Sequence, residues 1–90
     1  MVKVRKKRSE STKEKSSDHY ELILYNDDFN TFDHVITTLV EVCAYDEISA
    51  EQVAIITHFK GKCAIKSGSY YELKPMCEEI GNRNLTCELE

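Results

Sequence analysis

Tyr20-Glu21-Leu22-Ile23-Leu24-Tyr25-Asn26-Asp27-Asp28-Phe29 is the stretch on which the fold turns. From His19 to Tyr25 polar and apolar residues begin by alternating, and the segment is rich in β-formers, which predicts a strand. Asn26-Asp27-Asp28 stops it. Beyond the stop, Phe32, Val35, Ile36, Leu39, Val40 and Cys43 fall at helical spacing, with Asn30 placed to cap the helix and Asp33 three residues on. Ser49-Ala50-Glu51-Gln52 has the form of a capping box and predicts the start of a second helix, in which Val53, Ile56 and Thr57 share a side and which ends near Phe59, before Gly61. Lys62-Cys63-Ala64-Ile65-Lys66 suits a short strand. A second capping box, Ser69 to Glu72, opens a third helix with Leu73, Met76, Cys77 and Ile80 as its buried stripe. Pro75 removes a backbone donor beyond the first turn, so a kink or a late start is expected, and Gly81 is expected to end the helix. Leu85-Thr86-Cys87-Glu88-Leu89 alternates again and reads as the last strand. The order β-α-α-β-α-β predicts an α+β fold, a small three-stranded antiparallel sheet with three helices packed on one face.

Ninety residues leave room for one core, and 41% hydrophobic against 31% charged residues is an ordinary globular balance. The net charge of −4 is unevenly spread: residues 1–18 hold seven basic side chains and three acidic ones, a net of +4, which leaves −8 for the rest. A tail rich in Lys and Ser has too little apolar surface to offset its ordering entropy, so residues 1–18 are expected to form a disordered basic extension and residues 19–90 the folded domain. An acidic body repels phosphate, so nucleic acid is not an expected partner. There is no run of apolar residues long enough to span a membrane and no apolar segment behind the basic start, so no membrane partner is expected and the chain is assigned to the cytoplasm. In that reducing compartment Cys43, Cys63, Cys77 and Cys87 are expected as free thiols, and without a Cys-x-x-Cys pair they predict no metal site.

Two features carry possible chemistry: the acceptors gathered at Asn26-Asp27-Asp28 and the single His58 near the end of the second helix. Taken alone, the first reads as an Asx-turn and the second as a surface or packing residue. An enzyme would need more. No metal-ligand spacing, nucleophile elbow or Gly-rich phosphate loop is present, so neither catalysis nor a cofactor is expected. A plain interaction domain is the other alternative, since the same element order resembles the C-terminal domain of the ribosomal stalk protein, which docks factors on an acidic helix face.

Tyr20 to Phe29, followed by an apolar-faced helix and then by Ile56-Thr57-His58-Phe59-Lys60-Gly61-Lys62, resembles the ClpS family of Clp protease adaptors over about residues 20–89. The resemblance implies the same sandwich fold and a function as an adaptor. Such an adaptor binds the free N-terminal amine and bulky first residue of N-degron substrates and delivers them to a Clp-family AAA+ unfoldase, ClpA-like or ClpC-like, with its peptidase. It also implies Asn26, Asp27 and His58 as the amine-binding set, and Phe32, Val35, Ala54, Thr57 and Leu85 as an apolar pocket for the first side chain. The chemistry is compatible: a terminal amine is mostly cationic near neutral pH and presents three donors, which an amide oxygen, a carboxylate and an imidazole can accept. Where the family commonly has Thr-Pro-Met, this chain has Asn30-Thr31-Phe32. With Ala54 and Thr57 as further differences, a preference for Phe, Tyr and Trp over Leu is expected.

Overall fold

The structure is a computed structural model that describes residues 19–90, so the expected disorder of residues 1–18 lies outside the described residues. Six elements follow in order: β1 (Tyr20–Tyr25), α1 (Phe32–Cys43), α2 (Glu47–Lys60), β2 (Lys62–Gly68), α3 (Tyr70–Asn82) and β3 (Thr86–Leu89). β1 is the central strand of a three-stranded sheet of order β2-β1-β3, and both pairings are antiparallel. The sheet and its three helices form the predicted α+β arrangement. No helix among the described residues is long and apolar enough to cross a membrane.

Alternation along β1 sends Leu22 and Leu24 to the helix side, where they are fully buried with Leu39 and Cys43 of α1, Leu73 and Ile80 of α3, and Ile65 of β2. A large aliphatic side chain contributes about 1.5 to 3 kcal/mol when fully buried, so these few residues carry most of what holds so small a domain. Opposite Leu22 and Ile23 the register skips Ile65, a β-bulge that leaves this residue without a cross-strand partner. The Tyr45 hydroxyl donates to the Ile65 carbonyl at 2.6 Å and satisfies it.

Several local expectations are corrected. α1 is capped by Thr31, whose Oγ1 accepts from the His34 N–H at 3.1 Å, because the Asn30 side chain is used elsewhere. α2 begins at Glu47 with Asp46 in extended conformation before it, so Ser49 lies inside the helix and its apparent capping box is not one. The buried face of α2 is Ala50, Ala54 and Thr57, and Ile56 is exposed. Small side chains there let α2 approach its neighbours closely, since interaxial distance follows side-chain size. α3 starts at Tyr70 on a true capping box and runs through Pro75 and Gly81 to Asn82, so Pro75 causes no late start and Gly81 does not end the helix. The carbonyl that Pro75 cannot bond belongs to Tyr71, an exposed residue. The reversal comes later, at Asn84, which takes φ 71°, a left-handed conformation that Asn tolerates better than most residues.

Candidate functional site

At the C-terminal end of β1 the Asn26 N–H donates to the Gly61 carbonyl at 2.9 Å, and the Gly61 N–H donates to the Thr57 carbonyl at 2.9 Å. Gly61 has φ 92°, which lets the chain leave α2 and enter β2 within one residue. These two bonds fix the last turn of α2, and with it His58, beside the first residue of the Asn-Asp-Asp turn.

The turn itself is held by Asp27. Its Oδ1 accepts from the backbone N–H groups of Phe29 and Asn30, both at 2.9 Å, and the Asn30 side-chain amide donates to Oδ1 at 3.1 Å and to Oδ2 at 2.9 Å. Partial burial alone would raise the pKa of this carboxyl. The bonds from the Asn30 side chain and from the Asn30 and Phe29 backbones outweigh it, with some help from His34, and hold the carboxyl below its ordinary value. Oδ1 is crowded, whereas Oδ2 carries a single bond and retains capacity to accept.

Asn30 also reaches across the molecule, its side-chain amide donating to the Asn84 carbonyl at 2.9 Å. Four residues on, His34 Nε2 lies 2.7 Å from the Arg83 carbonyl and must carry the proton of that bond. The loop and the first turn of α1 thus grip residues 83 and 84, and the left-handed turn at Asn84 sets Leu85 behind them. Neither contact was anticipated from the sequence, where Asn30 read as a cap and His34 attracted no attention.

All eight residues singled out in the sequence line one cavity: Asn26, Asp27, Phe32, Val35, Ala54, Thr57, His58 and Leu85. Leu24, Tyr25, Asp28 and Asn30 line it too, and of these only Asp28 belongs to the acceptor cluster that the sequence shows. Leu24 was hidden by its core position, and the Tyr25 hydroxyl is turned away to Glu90, whose carboxylate accepts from it and pushes its pKa up to about 12. The cavity measures about 200 Å3. A void of about 150 Å3 is enough for one benzene ring, while ordinary cofactor and drug sites begin near ~300 Å3. It therefore fits one large side chain.

Polar and apolar groups are segregated along the cavity. Asn26, Asp28 and His58 are exposed and Asp27 and Asn30 half-buried, while Leu24, Ala54, Thr57 and Leu85 are buried. Phe32 lies between the two zones, about half-exposed, with its ring edge-on to His58 at 5.5 Å. Phe59 also meets the His58 ring edge-on, at 5.1 Å, so two aromatic rings contact the imidazole. Neither the Asn26 amide nor the His58 ring makes a hydrogen bond among the described residues, which leaves acceptors at the mouth beside the Asp27 carboxylate. No group of three or more potential metal ligands occurs among the described residues. Burial pushes the Cys43 and Cys87 thiols up, the reverse of what an activated nucleophile needs.

The family model described as ATP-dependent Clp protease adaptor protein ClpS matches residues 15–88. The chain is similar to the ATP-dependent Clp protease adapter protein ClpS of Hydrogenovibrio crunogenus (strain DSM 25203 / XCL-2), 34% identical over 84 residues that cover 87% of this chain and 81% of that protein. It is also similar to the ClpS adapter of Enterobacter sp. (strain 638), 34% identical over 77 residues covering 79% and 73% of the two chains. Among solved structures, that of Agrobacterium tumefaciens ClpS2 bound to L-phenylalaninamide matches with a TM-score of 0.76 at 20% identity, covering 82% of this chain and 96% of that one, a likeness of fold. With the family model spanning most of the sequence, the chain belongs to the ClpS family of ATP-dependent Clp protease adaptors.

Proposed function

We propose that the protein binds the free N-terminal amine and bulky hydrophobic first residue of N-degron substrates and delivers them to a ClpA-like or ClpC-like unfoldase and its peptidase. The observation that carries this reading is the segregated cavity: an apolar interior the size of one side chain under a mouth where Asn26, Asp27 and His58 offer an amide oxygen, a carboxylate and an imidazole. A protonated amine needs acceptors and at least one negative charge, and a first side chain needs an apolar space within reach of them. The ligand in the related Agrobacterium structure, L-phenylalaninamide, combines these two features. No observation at the site favours the alternative of a stalk-type docking domain.

Inside the cavity, the planar Phe32 ring at the mouth and the short side chain of Ala54 favour flat aromatic guests, which gain edge-on or stacked contact with Phe32 worth about 0.5 to 1.5 kcal/mol beyond burial. Leu leaves volume unfilled and forfeits dispersion contacts. The expected order is Phe, Tyr and Trp ahead of Leu, with Ile and Val weak. Peptides identical after residue one test the whole reading. A peptide beginning with Phe binds, its N-acetylated form does not, and equal binding of the two would overturn the proposal. Residues 1–18 serve delivery rather than capture, so removing residues 1–17 leaves peptide affinity unchanged and slows degradation of a bound substrate by the unfoldase and peptidase. Degradation at the full rate would assign that segment no part in delivery.

A further inference from the structure

Thr57 differs from every other polar residue of the cavity. Asn26, Asp27, Asp28, Asn30 and His58 stand at the mouth, but Thr57 is 4% exposed and belongs to the apolar wall, one turn after Ala54 on α2. Its Oγ1 donates to the Val53 carbonyl at 2.8 Å, one turn back along the same helix. A hydroxyl has one proton and two lone pairs, and that bond commits the proton and fixes the rotor. The oxygen can therefore only accept. In so buried a wall a hydrogen bond that it accepted from a guest would be electrostatically stronger than in solvent.

From this geometry we infer that Thr57 makes the cavity select aromatic first residues whose ring carries a hydrogen-bond donor, Tyr through its hydroxyl and Trp through its indole N–H, over Phe. The inference rests on the first-residue reading of the cavity and sharpens it. Phe and Leu fill the same space but leave the Thr57 lone pairs without a partner. Tyr and Trp bring a donor, and the short Ala54 side chain leaves room for the longer ring beside it. Thr38 offers a useful contrast, since its hydroxyl is fully buried and unpartnered but the residue does not line the cavity, so no guest can reach it.

The test uses the full chain and two free-amine peptides identical except for Phe or Tyr at residue one. The unaltered protein is expected to bind the Tyr peptide about three- to tenfold tighter, the net value of one additional hydrogen bond. Thr57→Val keeps the shape and removes the acceptor, so the Tyr-to-Phe ratio should collapse to one or below. Because the reading is a ratio within one protein, any general weakening caused by losing the bond to Val53 cancels. Thr57→Ser keeps the oxygen and should keep the preference. A ratio equal in the unaltered and Thr57→Val proteins overturns the inference, as does a preference lost equally in Thr57→Ser, which would assign selectivity to the methyl group. If neither free-amine peptide binds the unaltered protein, the first-residue reading itself falls and takes this inference with it, an outcome distinct from an unchanged ratio.

Discussion

At the two ends of β1 the chain uses nearly the same device. Where β1 begins, its partner strand β2 runs into Ser69, whose Oγ accepts from the Glu72 N–H at 3.1 Å while Glu72 Oε1 accepts from the Ser69 N–H at 3.0 Å. Where β1 ends, the Asp27 carboxylate accepts from the N–H groups of Phe29 and Asn30. Each is a carboxylate tied to the backbone of its own turn. The surroundings differ. At the first end the rings of Tyr20 and Tyr70 meet edge-on at 5.6 Å and fill the space. A Cβ on Gly68 would stand 2.5 Å from Glu72 Oε1, so it would have to displace the carboxylate of the capping box. At the second end Ala54 leaves a cavity, and Asn26 and His58 point unpaired groups toward its mouth. A carboxylate in a turn becomes a binding group only where space and free polar neighbours accompany it.

The comparison breaks most readily at Asp27. Asp27→Asn retains an oxygen to hold the turn but loses the charge, so the affinity for a free-amine Phe peptide should fall by about 2 to 3 kcal/mol, the low end for a charge pair losing a partner, as befits a half-buried group. Fluorescence anisotropy measures this, with the unfolding midpoint as control. An unchanged affinity would make Asp27 a turn residue of the same standing as Glu72.

A pH titration of that affinity comes next in size. Because the Asp27 carboxyl is held below its ordinary value, its charge and its contribution to the turn are complete above about pH 4 and lost as pH falls through the lowered value. The peptide amine titrates near pH ~8, and affinity should drop about tenfold per unit beyond it. The acid limb should be absent in Asp27→Asn, and an acid limb that persists there would move the titrating group elsewhere.

Ser69→Ala probes the closed end. Loss of a cap costs about 1 kcal/mol, which lowers the thermal midpoint by roughly 4 to 8 °C in a domain of this size. Peptide affinity at a temperature where the domain is folded should not move, and a parallel loss of affinity would couple the two ends. The smallest effect is expected at Thr38, where an unpartnered buried hydroxyl is replaced at constant shape: Thr38→Val should raise stability by up to about 1 kcal/mol in calorimetry, and a loss would reveal a partner for the hydroxyl.

How much of this was legible in the sequence depended on distance along the chain. The Ser69 and Glu72 capping box was readable because both partners lie within four residues. The similar pattern at Ser49 misled, since a motif alone does not say whether a Ser precedes a helix or sits one turn inside it, and the helix had already begun at Glu47. Ile56 was placed on the buried side because it is apolar, whereas close packing of α2 selected the smaller Ala50, Ala54 and Thr57. The eight site residues were legible through resemblance to a family and not through spacing, and the structure gathers them around one cavity. What escaped was the scaffold behind them: Asn30 and His34 bond to carbonyls at Asn84 and Arg83, and no local pattern marks a partner that far along the chain.

Those same bonds bear on when the cavity comes into being. Asn30 and Asn84 are 54 residues apart and His34 and Arg83 are 49, so Leu85 is positioned only after loops spanning most of the domain have closed. Contacts of such long range are slow to form, because loop-closure entropy is lost before they contribute. A chain that has made its helices and paired β1 with β2, but has not docked β3, lacks the cavity wall that Leu85 supplies. Competence to hold a guest therefore depends on contacts that span most of the domain, and a chain without β3 docked presents no formed pocket in which to seize one.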